Sequence, residues 1–379
     1  MRIGVTGAFG FLGANFTAAL LDGRGSASAS GGIEVVAFAS RTRSNPLFDP
    51  ERVRIEGLDI MDGPAMARAF SGLDAVAHFA GRVDYRSGRK RSVWDADVLG
   101  ARAVFEAALE AGVGRLLYVS SVSALGCPGP AGLADEECRP YGEMSWPISF
   151  ASPEEALRAV ESSLAGDYSF LKRSRVAYFD AKLAGWELAK RFANDRGLPV
   201  VTVFPGTVVG AGDQGRAISS LVDAVWDGKL GVSLPGATSF VSARDFAAGA
   251  MLAFEKGRPG EGYVISGRDE HNMSYAEFMR LIASAARAEE GGKRPRGSRR
   301  PSGRFLVPPR AILAAAAGAA EYLMPNGSLS KALVLSGCVD NRCSSAKAMR
   351  ELGYAPGASL EPAILECRRF SERLRKEAR

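Results

Sequence analysis

Tyr178-Phe-Asp-Ala-Lys182 places a phenol and an ammonium four residues apart at the start of an amphipathic stretch. On a helix, residues i and i+4 share one face, so both groups can point into one site. A free tyrosine titrates near pH ~10, too high for easy proton transfer at neutral pH. A lysine beside it favours the phenolate and brings it toward a working range, as a general acid/base requires. The same spacing recurs at Tyr168-Ser-Phe-Leu-Lys172, so spacing alone does not choose between the pairs. Metal chemistry has no comparable signal. The two histidines, His78 and His271, stand in no ligand-like cluster, and the five cysteines match no zinc spacing or paired framework. Reduced thiols in a cytoplasmic protein account for that odd number.

A second chemical element opens the chain. Gly7, Gly10 and Gly13 follow an apolar stretch and precede a helical-looking segment, Phe11 to Leu21. A strand feeding a tight glycine turn and then a helix lets backbone approach a phosphate at the helix N-terminus. The spacing is G-x-x-G-x-x-G rather than G-x-G-x-x-G. Nucleotide binding is the expectation.

These groups need a scaffold, and the pattern supplies one. Strand-like segments at 2–6, 33–39, 52–56, 74–79, 115–120 and 199–204 alternate with helices near 11–22, 63–70, 94–111 and 175–195. Such alternation predicts an α/β fold, a Rossmann-type doubly wound parallel sheet covered by helices. The nucleotide-binding domain is expected over residues 1–205, with a long excursion at 127–174. Cys127-Pro-Gly-Pro-Ala-Gly132 opens that excursion, and Ser152-Pro-Glu-Glu155 reads as a helix start within it. A lid or an interface is the expected use of so long a loop. Residues 206–379 form a smaller, helix-rich lobe, discontinuous with the core. Helices are expected there at 216–227, 244–255, 274–288, 309–324, 344–352 and 360–377, around one short strand at 262–265.

Composition excludes several classes. The 379 residues are 46% hydrophobic with a net charge of +6, an ordinary globular balance. The run Lys293 to Arg304 carries six basic residues and no acid; a solvated loop is expected rather than a nucleic-acid contact. The glycine-interrupted N-terminus lacks a secretory pattern. The apolar run Ala311 to Ala320 is too short to span a bilayer. A buried helix is expected there and no stable membrane insertion, with peripheral membrane contact as the alternative.

Several ordered motifs resemble the extended short-chain dehydrogenase/reductase family, especially its dihydroflavonol-reductase-like and 3β-hydroxysteroid-dehydrogenase-like members. Thr6 to Gly13 resembles the family's cofactor turn, and Leu58-Asp-Ile-Met-Asp62 its adenine-side acidic motif. His78-Phe-Ala-Gly81 matches the strand end lining the cofactor, and Tyr118-Val-Ser-Ser-Val-Ser-Ala-Leu-Gly126 the strand bearing the catalytic serine. Phe204-Pro-Gly-Thr-Val-Val-Gly-Ala-Gly-Asp213 resembles the nicotinamide-side segment, and Ser345 to Pro356 the closing helix and turn. In such reductases about two dozen residues separate the catalytic lysine from this proline. Lys182 precedes Pro205 by 23 residues and Lys172 by 33, which selects Tyr178 and Lys182. Tyr168 is then a packing residue.

The resemblance implies roles. Tyr178 is the general acid/base, Lys182 lowers its pKa and holds the nicotinamide ribose, and Ser121 hydrogen-bonds the reacting oxygen. Ser120 and Ser123 help to end the strand. Gly7, Phe9, Gly10, Phe11, Leu12 and Gly13 cradle the cofactor phosphates, Asp59 and Ile60 border the adenine, and Phe79, Ala80 and Gly81 line the cleft. Pro205, Thr207 and Val208, with Tyr178 and Lys182, hold the nicotinamide end. Cofactor choice is read after the second strand, where a carboxylate favours NAD and an arginine NADP. Ser40 and Arg41 stand there with no acid nearby, so NADP is expected rather than NAD.

Some positions depart from the family. Ser121 and Tyr178 are 57 residues apart, longer than usual, consistent with an insertion. Asp97-Val-Leu-Gly-Ala101 stands where the family often has Asn-Val-x-Gly-Thr, and Asp97 is expected to keep a structural hydrogen bond without being catalytic. His78 is expected to pack near the cofactor and Trp186 in the core. The implied activity is reduction of a ketone, or oxidation of a secondary alcohol, on a small-molecule substrate. A nucleotide-sugar epimerase with tightly bound NAD is the alternative, followed by a non-catalytic cofactor-binding protein. Val122 and Ser123 lack the acidic pair that a dehydratase needs. A homodimer is left open.

Overall fold

The computed structural model describes residues 1–23, 32–40, 44–126, 132–141, 146–215, 218–289, 303–323 and 330–377. Arg41, most of the expected Gly23–Gly32 linker, most of the Lys293–Arg304 run and the Cys127 opening of the excursion lie outside them. The strands are β1 (Arg2–Thr6), β2 (Glu34–Ala39), β3 (Arg54–Gly57), β4 (Ala75–His78), β5 (Arg115–Val119), β6 (Val200–Pro205), β7 (Thr207–Val209), β8 (Ala237–Ser242), β9 (Gly262–Ile265), β10 (Asn272–Ser274) and β11 (Asp340–Asn341). Seven of them form one sheet in the order β3-β2-β1-β4-β5-β6-β9, every pair parallel. Central strands such as Ile3-Gly-Val-Thr6 and β6 are buried throughout, because helices cover both faces of a parallel sheet. Strand order reverses between β1 and β4, which opens a crevice at their carboxyl ends.

The first-domain helices are α1 (Phe11–Leu21), α2 (Gly63–Phe70), α3 (Lys90–Trp94), α4 (Gly100–Glu110), α5 (Pro153–Leu164) and α6 (Ala177–Arg196). The expected helix over 94–111 begins earlier and is interrupted by one turn of π-helix, Asp95–Leu99. π-turns inside helices frequently mark functional positions. The excursion contains α5, packed on α6, where a lid or interface was expected. Ser152 caps it by accepting from the Glu155 N–H, as the Ser-Pro-Glu-Glu pattern predicts. Trp94 Nε1 donates to Ser163 Oγ, tying this helix to α3. The sequence places the helix but not its docking, because that depends on the partner face.

The later helices are α7 (Ser219–Trp226), α8 (Ala243–Lys256), α9 (Tyr275–Glu289), α10 (Arg310–Leu323), α11 (Lys331–Ser336), α12 (Ala346–Leu352) and α13 (Glu361–Glu377). α8 packs against α1, and β9 is the seventh strand of the main sheet, so the chain returns to the first domain after residue 205. The lobe contains more strand than its periodicity suggests. β7, β10 and β11 pair with β8 in a second small sheet. Two- and three-residue strands give no alternation to read, and pairing alone defines them. One expectation is overturned. The helix over Ala311–Ala320 was expected to be buried, yet in α10 only Ala317 is buried. An apolar run does not distinguish a core helix from one whose outer face has no partner.

Candidate active site

The glycine turn closes on itself before it meets anything else. Gly7 has φ +69°, and a Cβ there would lie 2.7 Å from the Ala80 backbone nitrogen. A Cβ on Gly13 would overlap the Gly7 carbonyl oxygen. Both positions demand glycine for backbone proximity, so β1, α1 and the end of β4 converge within backbone contact. Gly10 caps α1 without a side-chain hydrogen bond, and the first turn carries no acid. The positive end of the helix is therefore presented uncompensated toward the crevice, which suits a phosphate. Asn45 Nδ2 donates to the Phe9 and Gly212 carbonyls (both 3.2 Å), and Asn15 Nδ2 to the Phe11 and Ala211 carbonyls (2.9 and 3.0 Å). These two amides lock the turn to the segment after β7. Sequence reading missed them, since isolated asparagines carry no motif.

At the next strand ends the polar groups gather. Ser121 follows β5, and its Oγ accepts from the Ser123 N–H at 3.1 Å, stopping the strand. Tyr178 and Lys182 lie on buried turns of α6, with Lys182 Nζ 5.7 Å from the phenol ring centre. Burial pushes the Tyr178 hydroxyl above its ordinary pKa; Lys182 pulls it down, Asp97 pushes it up, and a side-chain hydrogen bond with Ser121 pulls it down. The lysine acts in the expected direction, but desolvation is larger and the net shift is upward.

Asp97 is the neighbour whose importance sequence reading understated. The π-turn directs it at Lys182, Nζ to Oδ1 2.8 Å, in a pair almost fully out of water. Its other oxygen accepts from the Arg82 N–H at 3.0 Å. Burial lowers the Lys182 pKa, but Asp97, then Tyr178 and Tyr118, outweigh it and hold the ammonium charged. Asp97 therefore positions the lysine as well as making a structural hydrogen bond. The signal was present, as an acid where the family often has Asn.

Behind the site, His78 Nδ1 and Thr6 Oγ1 are 2.6 Å apart, and the imidazole stacks on Tyr118. Burial first and Lys182 second lower the His78 pKa from 6.5 to about 3, so it stays neutral. Tyr85, another residue missed, meets Tyr178 edge-on at 5.7 Å between ring centres. Ser330 Oγ donates to its carbonyl at 2.7 Å, so Tyr85 joins the lobe to Tyr178.

The structure brings Gly7, Phe79, Ala80, Gly81, Ser121, Tyr178 and Lys182 to adjoining strand ends and the facing helix. A Cβ on Gly81 would lie 2.5 Å from Asp97 Oδ1 and 3.5 Å from Lys182 Nζ. Phe9, Phe11, Leu12 and Val208 pack in one apolar cluster beneath the crevice. Pro205 ends β6, and Thr207 Oγ1 lies 3.1 Å from Thr238 Oγ1. Asp59 is exposed and accepts from the Met61 N–H at 3.0 Å, with Ile60 beside it half-buried. Ser40 is exposed at the end of β2. Tyr168 stands apart from this group, with its hydroxyl on Asp95 (2.7 Å) and Arg91 over its ring. Trp186 packs edge-on against Phe204. No group of three or more His, Cys, Asp or Glu suited to a metal occurs among the described residues.

A profile of the NAD dependent epimerase/dehydratase family matches residues 3–266, from the first strand through the seventh of the main sheet. The chain belongs to this family. Within it, this epimerase/dehydratase-family chain is 31% identical over 268 residues to sterol demethylase protein B of Methylococcus capsulatus, covering 69% of each sequence. It is 26% identical to a 3-beta-hydroxysteroid dehydrogenase of Mycolicibacterium neoaurum, over 97% of this chain and 90% of that one. Its fold matches a nucleoside-diphosphate-sugar epimerase from Pseudomonas aeruginosa with TM-score 0.69 and 22% identity, covering 99% and 98% of the two chains. The family's members are NAD(P)-dependent oxidoreductases, dehydratases and epimerases of the extended short-chain type.

Proposed function

We propose that this protein is an NADP-dependent oxidoreductase that interconverts a ketone and a secondary alcohol on a small apolar-bodied substrate. One observation carries the reading: Tyr178 and Lys182 stand on buried turns of one helix, Nζ 5.7 Å from the phenol ring centre, with Ser121 near enough to lower the tyrosine's pKa, beside the crevice that the glycine turn opens. The cradle fits a dinucleotide, with backbone at Gly7 and Gly13 and the uncapped start of α1 on the phosphates, and Lys182 toward the ribose. When bound, the nicotinamide supplies or accepts the hydride. In the reducing direction, Tyr178 donates its phenolic proton to the carbonyl oxygen while Ser121 Oγ donates a hydrogen bond to the same oxygen. A tyrosine held protonated by burial suits the donor role, and the charged Lys182 stabilises the phenolate it leaves. Tyr85 edges the phenol and fixes its ring plane.

NADP rather than NAD rests on Ser40 and on the sequence position of Arg41, with no carboxylate between Ala37 and Arg43. The relative named as a 3-beta-hydroxysteroid dehydrogenase, aligned over nearly the whole chain, supports a polycyclic alcohol or ketone as first substrate class. Purified protein is to be given NADPH or NADH with a panel of cyclic ketones, following the nicotinamide absorbance. Turnover with at least a tenfold preference for NADPH in kcat/KM is expected; a clear NADH preference would remove the cofactor assignment. Stoichiometric NAD in an acid extract, with no turnover of added cofactor, would move the protein to the epimerases.

A further inference from the structure

The outer face of α10 has the wrong chemistry for water. Ile312 is 61% exposed, Tyr322 86% and Leu323 75%, and Ala315 and Ala319 complete the same stripe at helical spacing. Leu306 (67%) and Val307 (43%), just before the helix, are exposed as well. From Ala311 to Ala320 there is no charged or hydrogen-bonding side chain. An ordinary surface helix turns its apolar stripe inward and its charges outward. α10 is apolar on both sides: Ala317 is buried and Leu313 and Ala314 half-buried toward the protein, Glu321 Oε2 accepts from the Lys331 N–H of α11 at 3.1 Å, and the outer apolar side is left exposed. Contiguous exposed apolar surface of this kind marks an interaction site.

Two observations identify the occupant. The sequence leading into the helix is strongly basic, with six Lys or Arg and no acid between Lys293 and Arg304. A basic stretch that precedes an apolar helix in the sequence supplies the charge that an anionic lipid surface attracts. Size argues against a second copy of the chain. The helix has 14 residues. Its length is therefore about 21 Å, and one face of it falls far short of the roughly 800 Å² per partner that a stable dimer buries. It is also too short to cross a bilayer of about 30 Å, and no helix among the described residues is long and apolar enough to do so.

We propose that α10 is a peripheral docking helix that lies in the interface of an anionic membrane. The placement has a consequence for the site: Ser330, which caps α11, holds the Tyr85 carbonyl, and Tyr85 edges Tyr178. The docking helix is thus linked through α11 to the wall of the candidate site.

Purified full-length protein is to be floated with phosphatidylcholine vesicles, with mixed phosphatidylcholine–phosphatidylserine vesicles, and with neither, at low and high salt. Binding to the anionic vesicles at least about tenfold above the neutral ones, weakened by salt, is expected. Ile312→Glu with Leu323→Glu should abolish it while leaving the thermal midpoint and NADPH binding unchanged, since both side chains are exposed. Absence of binding to anionic vesicles, or binding that the double variant retains, overturns the proposal. A dimer seen by sedimentation without vesicle binding, and split by the double variant, overturns it too and assigns the face to self-association.

Discussion

Lys182 Nζ lies 2.8 Å from Asp97 Oδ1, a buried ion pair between α6 and the π-turn Asp95–Leu99. Its position makes the carboxylate a positioning group for the lysine and a negative charge acting on Tyr178. Asp97→Asn keeps the shape and removes the charge. Without that anion the phenolate forms more easily, so the alkaline limb of the kcat/KM profile should move to lower pH. Stability should fall by about 3 kcal/mol, because Lys182 is left buried without its counter-charge. An unmoved alkaline limb would leave Asp97 a purely structural role.

Tyr178→Phe removes the proposed proton donor and little else, because the ring stays packed against Tyr85. Loss of about 10²- to 10⁴-fold in kcat is expected, with cofactor affinity unchanged. Tyr168→Phe, which removes a hydroxyl bonded to Asp95, should cost less than about threefold. Equal effects of the two substitutions in steady-state kinetics would contradict the assignment of the pair.

Gly13→Ala forces a methyl onto the Gly7 carbonyl oxygen, and this contact cannot relax without opening the turn. NADPH affinity, followed by its fluorescence enhancement, should drop at least about a hundredfold. Gly63→Ala, at a position where a Cβ meets nothing within 4 Å, serves as the control and should be silent.

The pH dependence of stability should carry the signature of His78. Its folded pKa, about 3, lies below the unfolded value of 6.5. Between those limits the unfolded chain binds a proton that the folded chain refuses, so stability is lost as pH falls through that window. The slope is at most about 1.4 kcal/mol per pH unit. Asp180 runs the other way. Burial raises its pKa from 3.8 to about 6 against hydrogen bonds from Ser174 and Ser149. Its contribution is present below pH 3.8 and is lost as pH rises through about 6. The histidine's displacement is the larger, so the acid limb should fall. In urea unfolding measured across pH 4 to 7, His78→Asn should flatten that limb and Asp180→Asn steepen it. The opposite ordering would show that other groups govern it.

How legible was the site? The positions of the glycine turn, Ser121, Tyr178 and Lys182 at strand ends and a helix start could be read because they depend on residue type and on spacing within local strand–turn–helix units. The doubly wound sheet could be read for the same reason, since the alternation of strands and helices is local. Asn15, Asn45 and Tyr85 could not, because each acts through a partner between 70 and 200 residues away that no periodicity announces. β7, β10 and β11 of the small second sheet escaped because strands of two or three residues are defined by pairing, and the docking of α5 on α6 because two faces must meet. The same reason separates the two halves of the opening feature: sequence alone determined that a tyrosine and a lysine share a helical face. Only the tertiary structure decided that Asp97 charges the lysine, that burial rather than the lysine dominates the tyrosine, and that α10 turns its apolar stripe outward. Desolvation and long-range pairing belong to the folded surroundings of a residue, and those exist only once the chain has closed around it.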